Sequence, residues 1–206
     1  PTLKDLDIYQ LSDIKKSAKR IADAIEKNET IGLLCDFDVD GISSAAVLYS
    51  SFIDFFKYDN NKVKIYISNR MKAGYGFSNE VLERIYNETT IPSLLITADQ
   101  GSKDDERITQ YTKEMKKREL VGDVIVTDHH HIKGAGPKDA FAVVNPQKEN
   151  DKFEDIVNAN VASGGSFISM SNVKRADFNY ILTQDSAPDL KNQLIDIYPE
   201  TGKEKA

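Results

Sequence analysis

Three short stretches hold the side chains with the clearest chemical potential: Asp36-x-Asp38-x-Asp40-Gly41, the single Asp99, and the run Asp128-His129-His130. Carboxylate oxygens with one or two imidazoles suit Mn²⁺ or Mg²⁺ better than structural zinc, which favours thiolates. The chain offers only one thiol, Cys35. Carboxylates gathered in one place repel each other unless cations sit among them. There are more acids here than one ion needs, which points to two divalent cations roughly 3.5–4 Å apart. Such a pair binds a phosphoryl oxygen and activates a water, so metal-assisted phosphoester hydrolysis is the chemistry these residue types predict. Two other readings fit less well. An EF-hand loop would need Glu where Val47 stands at the twelfth position, and a helix rather than a strand upstream. A phosphatase with an aspartyl nucleophile would have no use for the histidine pair.

The elements around these stretches must bring them together. Ile14, Ala18, Ile21, Ala22 and Ile25 recur at helical spacing and predict an amphipathic helix. Residues 31–35 form a short apolar run without alternation, as in a strand buried on both faces. A helix is expected from there through Phe56. Further strands are expected at 63–67, 94–97, 123–127 and 140–144, with helices at about 79–86 and 103–119. Alternating strands and helices predict an α/β fold, a doubly wound and mainly parallel sheet flanked by helices. Past Asn145-Pro146 the pattern weakens to a polar loop and a helical C-terminal extension, with helices around 176–183 and 190–197 and a frayed tail after 202. The chain thus divides into a helical lead-in (1–30), an α/β catalytic core (31–147) and a loop and helical segment (148–206). Ligands of open parallel sheets bind at the carboxyl ends of strands. Asp36, Asp38 and Asp40 follow the first strand, Asp99 the third, and Asp128, His129 and His130 the fourth.

Composition narrows the class. The 206 residues are 40% hydrophobic and 29% charged, which is ordinary for a globular domain. The net charge of −6 argues against attachment to nucleic acid by bulk positive charge. One cysteine excludes a disulfide framework and a Cys-rich zinc module. No apolar run reaches the roughly 18 residues a membrane span needs, and no signal-like segment opens the chain, so the expectation is a cytoplasmic, reducing compartment with no membrane partner. The chain opens on Pro1, as after methionine removal or in a piece of a longer protein.

Asp36-Phe37-Asp38-Val39-Asp40-Gly41-Ile42-Ser43-Ser44, Thr97-Ala98-Asp99-Gln100-Gly101 and Val126-Thr127-Asp128-His129-His130 resemble motifs I, II and III of the DHH phosphoesterases, in particular the RecJ-like single-strand exonucleases. The segment from Ile67 to Gly76, with Arg70 and Gly74-Tyr75-Gly76, is similar to the Arg- and Gly-Tyr-Gly-bearing segment of RecJ proteins. Ala142-Val143-Val144-Asn145-Pro146 resembles the strand and turn after their motif III. The motif IV frame is met by Gln184-Asp185-Ser186-Ala187-Pro188, with Asp177 as the second candidate for its aspartate. The likeness spans about residues 3 to 190.

The resemblance implies roles. Asp38, Asp40, Asp99, His129 and Asp185 would ligate two divalent cations (Mn²⁺ preferred, or Mg²⁺), Asp99 bridging them, with Asp36 a ligand or close support. Asp128 and His130 would form the catalytic pair, Asp128 orienting the histidines and His130 contacting the scissile phosphate or assisting proton transfer to the leaving oxygen. Arg70 would grip a backbone phosphate, and Ser163, Gly164 and Gly165 match a glycine-rich substrate-binding loop. His131 stands where the family often has an acidic residue and reads as an exposed loop histidine. Cys35 stands where relatives often have glycine and reads as a small buried hydrophobe. Tyr75 reads either as a stacking platform for a base or as a hinge or core residue.

The implied activity is two-metal hydrolysis of single-stranded DNA from its 5′ end to mononucleotides. The alternatives are a phosphodiesterase for oligonucleotides or cyclic dinucleotides, and a non-catalytic scaffold in a replication or repair complex. The DHH-associated second domain of RecJ proteins has no counterpart in these 206 residues. That domain, or a replication or repair partner, would supply the basic groove that a chain of net −6 lacks.

Overall fold

The computed structural model describes residues 11–68, 76–149 and 151. Its centre is a sheet of five parallel strands in the order β2-β1-β3-β4-β5. These are β1 (Ile31–Cys35), β2 (Val63–Ile67), β3 (Leu94–Ala98), β4 (Asp123–Thr127) and β5 (Ala142–Val144). All five residues of β1 and of β3 are buried. That explains apolar runs without alternation, because these strands carry helices on both faces.

The helices are α1 (Ile14–Glu26), α2 (Val39–Ser50), α3 (Asn79–Tyr86) and α4 (Asp105–Lys117). One face of the sheet packs Ile31, Leu33 and Cys35 against Ala24 of α1 and Ile42, Ala45 and Tyr49 of α2. The other packs Leu34, Leu95, Val124 and Val126 against Val81, Leu82 and Ile85 of α3 and Ile108, Tyr111 and Met115 of α4. The doubly wound α/β architecture expected from the sequence is therefore the one observed. The expected C-terminal helices and the tail lie outside the described residues. Among the described residues no helix is long and apolar enough to cross a membrane.

Element boundaries differ where side chains compete with the backbone. The helix expected to run through Phe56 leaves α geometry after Ser50 and closes with a π-helical turn over Ser51–Phe55. Ser51 Oγ donates to Val47 O at 2.7 Å, taking up a carbonyl of the helical ladder, and Phe56 N reaches back to Ser51 O at 3.0 Å. The last strand starts at Ala142 rather than 140, because Ala140 N closes a turn onto Pro137 O at 3.2 Å. α4 begins after Asp104, whose carboxylate accepts from Phe77 N, and ends before Glu119, which has φ 58°.

The strand order places the chemistry. β2 lies on one side of β1 and β3 on the other, so the chain reverses its direction of growth at β1, and a crevice opens between the β1 and β3 carboxyl ends. Register then aligns three exits. Cys35 pairs with Ala98, and Ala98 with Thr127, so Asp36, Asp99 and Asp128 are each the first residue beyond a strand end at one level. Each adds one more rung to the ladder: Asp36 N donates to Ala98 O, Asp99 N to Thr127 O and Asp128 N to Val144 O.

Candidate metal centre

Asp36 leaves β1 almost fully buried, and Asp38 then caps α2, accepting from Gly41 N at 3.0 Å. This turn is so tight that a Cβ on Gly41 would lie 2.3 Å from Asp36 O and 2.6 Å from its carbonyl carbon. Asp99 follows β3 in the left-handed region at φ 61°, also buried. Asp128 follows β4, and its carboxylate collects four donors. Oδ1 accepts from His129 N at 2.7 Å, His130 N at 3.1 Å and His130 Nδ1 at 2.7 Å, and Oδ2 from Ser102 N at 3.0 Å. His129 turns Nε2 to Asp99 Oδ1 at 2.9 Å.

Two sets of ligand atoms result, each with all its members within 4.8 Å of one another: Asp36, Asp38 and Asp99, and Asp99, His129 and His130. Asp99 belongs to both. Asp36 Oδ1 and Asp99 Oδ2 are buried and have no hydrogen-bond partner. A buried carboxylate oxygen without a partner costs free energy that a cation at the same place removes. Charge tells the same story. Burial, with Asp38 and Asp99 nearby, pushes the Asp36 carboxyl up to about 6, against the opposing Phe37 N–H and His130. Burial and Asp38 likewise raise Asp99, although His129 opposes them. The hydrogen bond to Asp99 raises His129, and the bond to Asp128 raises His130. Asp128 goes the other way: burial would raise it, but the bonds from His130 and Ser102 hold it at about 2. It therefore remains a carboxylate and fixes His130 with the proton on Nδ1. The donors are oxygens and imidazole nitrogens, the set Mn²⁺ and Mg²⁺ accept, so the residues fit divalent cations.

The structure thus gathers Asp36, Asp38, Asp99, Asp128, His129 and His130. Asp40 stands in the first turn of α2, half-buried, and is a member of neither set. His131 is exposed. Cys35 is fully buried, and burial raises its thiol far above the usual range. Arg70, Tyr75, Ser163, Gly164, Gly165, Asp177 and Asp185 lie outside the described residues.

Sequence reasoning gave no role to the supports behind the site. Ser102 holds Asp128 through its N–H, Gln100 accepts from Ser68 Oγ at 3.1 Å, and Asn145 and Gln147 reach the carbonyls of the histidine pair. Their one signal is position, since each is a polar residue within a few places of an apolar strand's carboxyl end.

The sequence profile of the DHH family, N-terminal domain, matches residues 30–190. The single-stranded-DNA-specific exonuclease RecJ of Bacillus subtilis is 35% identical over 150 residues, 70% of this chain and 17% of the relative. RecJ of Haemophilus influenzae is 31% identical over 196 residues, 94% of this chain and 32% of the relative. The chain therefore spans about a sixth to a third of the length of these curated relatives. A crystal structure of exonuclease RecJ bound to manganese superposes with a TM-score of 0.54 at 26% identity, covering 71% of this chain and 34% of that one. With the profile matching more than half its length, the chain belongs to the DHH family and carries a RecJ-like DHH domain.

Proposed function

We propose that this chain is a metal-dependent phosphodiesterase domain that, with two divalent cations (Mn²⁺ preferred, or Mg²⁺), hydrolyses single-stranded DNA from its 5′ end and releases 5′-mononucleotides. The observation that carries the reading is Asp99, common to two ligand sets and buried with one oxygen unpartnered beside the equally orphaned Asp36 Oδ1. The names of the relatives support the substrate, and the manganese of the similar crystal structure supports the metal.

Asp36, Asp38, Asp99 and His129 would hold the cations, joined by Asp40 and Asp185. When bound, the pair neutralises charge on a phosphoryl oxygen and acidifies the attacking water. The chain's own residues do the rest. Asp128 keeps His130 in one tautomer, so Nε2 is the nitrogen that meets the scissile phosphate or moves a proton to the leaving oxygen. Arg70 would clamp a neighbouring phosphate with its planar fork, and Ser163, Gly164 and Gly165 would present backbone N–H groups to the strand. The basic groove for a longer strand would come from a DHH-associated domain or from a replication or repair partner.

The test is mononucleotide release from 5′- and 3′-labelled single-stranded oligonucleotides with Mn²⁺, Mg²⁺ or chelator, beside Asp99→Ala. Metal-dependent release of the 5′ label first, lost in the variant, is expected. Bound Mn²⁺ without cleavage would mean an intact site that lacks its substrate-binding part, and no bound Mn²⁺ would overturn the metal centre and favour the scaffold.

A further inference from the structure

We propose that Asn145 is a positioning residue for the histidine pair, holding His130 in place through its backbone; the kinetic part of this inference rests on the function proposed above. Asn145 follows β5 directly and is fully buried. Thr127 pairs with Val144, so Asn145 stands one residue past β5 beside Asp128, one residue past β4. Its amide is fully used. Nδ2 donates to His130 O at 2.9 Å and to Ser102 Oγ at 2.8 Å, and Oδ1 accepts from Gln147 N at 2.8 Å. The orientation of the amide is not in question: His130 O can only accept and Gln147 N can only donate.

These bonds meet the site from behind. Ser102, gripped by Asn145 at its hydroxyl, gives its N–H to Asp128 Oδ2 at 3.0 Å. Gln147, whose backbone is turned by Asn145, donates its side-chain Nε2 to His129 O. One buried amide therefore braces His130 directly, Asp128 through Ser102 and His129 through Gln147. A single uncharged side chain from the neighbouring strand fixes where the Asp128–His130 pair stands relative to Asp99. Side chains that orient metal ligands commonly matter to affinity or activity by 10- to 100-fold.

Asn145 also makes a local turn, and a turn alone would explain its Oδ1 bond to Gln147 N. Asn145→Asp separates the two roles, because a carboxylate keeps that acceptor and removes both donors. We would compare Asn145→Asp and Asn145→Ala with the unaltered chain by melting temperature, by Mn²⁺-dependent cleavage of a short single-stranded oligonucleotide well below the melting point, and by ¹⁵N-edited NMR of the histidine rings. The expected result is a kcat lower by about 10- to 100-fold in both variants with KM within about twofold. The resonance of the His130 Nδ1–H bonded to Asp128 should shift or vanish. An unchanged ring signal with unaltered kcat in Asn145→Asp would overturn the proposal and leave Asn145 a turn residue. So would a lowered melting temperature with both readouts unmoved. If the unaltered chain neither binds Mn²⁺ nor cleaves, the functional reading fails, while the ring resonance still decides the role of Asn145.

Discussion

Replacing Gly41 by alanine adds one methyl group where the β1–α2 turn has no room for it. The Cβ would lie 2.3 Å from Asp36 O, 2.6 Å from its carbonyl carbon and 2.7 Å from its Cα. These are backbone atoms, so no rotamer change relieves the clash and the turn itself must open. Overpacking of this kind costs about 1–3 kcal/mol. Alanine in a helix regains about 1 kcal/mol over glycine, leaving a net loss of about 0–2 kcal/mol. In a domain of this size that lowers the melting temperature by at most about 8 °C. The effect on the site is larger, because the turn being opened carries Asp36 and Asp38, and the Asp38 carboxylate rests on Gly41 N. A displacement near 1 Å costs on the order of 100-fold in activity. Calorimetric titration with Mn²⁺, thermal melts in chelator and oligonucleotide cleavage would be run together, with Lys113→Ala on the exposed side of α4 as control. A wild-type Mn²⁺ affinity in a Gly41→Ala chain that melts no lower would refute the reasoning, since the turn would then be shown to yield without moving its ligands.

Removing cations should reveal the charge stored at the site. Folding raises the pKa values of Asp36, Asp99, His129 and His130, so at these four groups the folded chain holds more protons than the unfolded one as pH rises above about 4. Their contribution to stability therefore falls as pH rises, and chelated protein should melt lower at pH 8 than at pH 5 in scanning calorimetry, with Mn²⁺ restoring most of the difference at pH 8. Asp128 has the opposite sign. Its carboxyl, held at about 2, contributes roughly 2 kcal/mol above pH 4 that is lost as pH falls toward 2. Asp128→Asn should lose about that much in urea unfolding at pH 7, and a change below about 0.5 kcal/mol would count against its four-donor cradle. Thr97→Val removes the hydroxyl that closes the Asp99 turn onto Gln100 O at 2.7 Å, and should weaken Mn²⁺ binding roughly tenfold in the same titration.

The sheet was legible in the sequence because its signal is local. The apolar run at 31–35 and the largely apolar stretch at 94–97 mark strands covered on both faces, and the acids that follow them stand out against that background. The candidate site was read from the acids standing at the carboxyl ends of strands that the alternation of elements makes parallel. What the residues could not show was register. Nothing in the sequence says that Cys35, Ala98 and Thr127 end level, yet that alignment is what brings Asp36, Asp99 and Asp128 together. Support from a distant strand was equally hidden. Asn145 lies 15 residues from the His130 carbonyl it holds, and an asparagine before proline reads as a turn until its partners are seen. The π turn at Ser51–Phe55 was missed for a related reason, since a serine bonding back to Val47 O leaves no mark on hydrophobic periodicity.

The two rims of the sheet distinguish structural from functional charge. At the amino ends of the strands, Arg20 is buried and pairs with Glu29 and Asp123 at 2.7 Å each, while Ser93 Oγ donates to the same Glu29 oxygen. Positive and negative groups meet there, and Glu29 is lowered despite its burial. At the carboxyl ends, Asp36 and Asp99 face each other and Asp38 with orphaned oxygens, and their carboxyls are raised. Compensation, not the presence of charge, separates the two. Arg20→Met should therefore lower stability by roughly 1–2 kcal/mol, because it leaves two partly buried carboxylates unpaired, which solvent screens in part. It should leave Mn²⁺ affinity unchanged, since Arg20 bonds to neither ligand set. Asp99→Asn should do the reverse. It removes a repulsive buried charge, so the chelated protein should melt at or above the wild-type temperature, while Mn²⁺ binding and cleavage are lost. Melts and titrations on the two variants would settle it. A Mn²⁺ affinity that fell with Arg20→Met, or a strong destabilisation of the chelated chain by Asp99→Asn, would mean that the carboxyl rim is held together by its own charges and is not waiting for a cation.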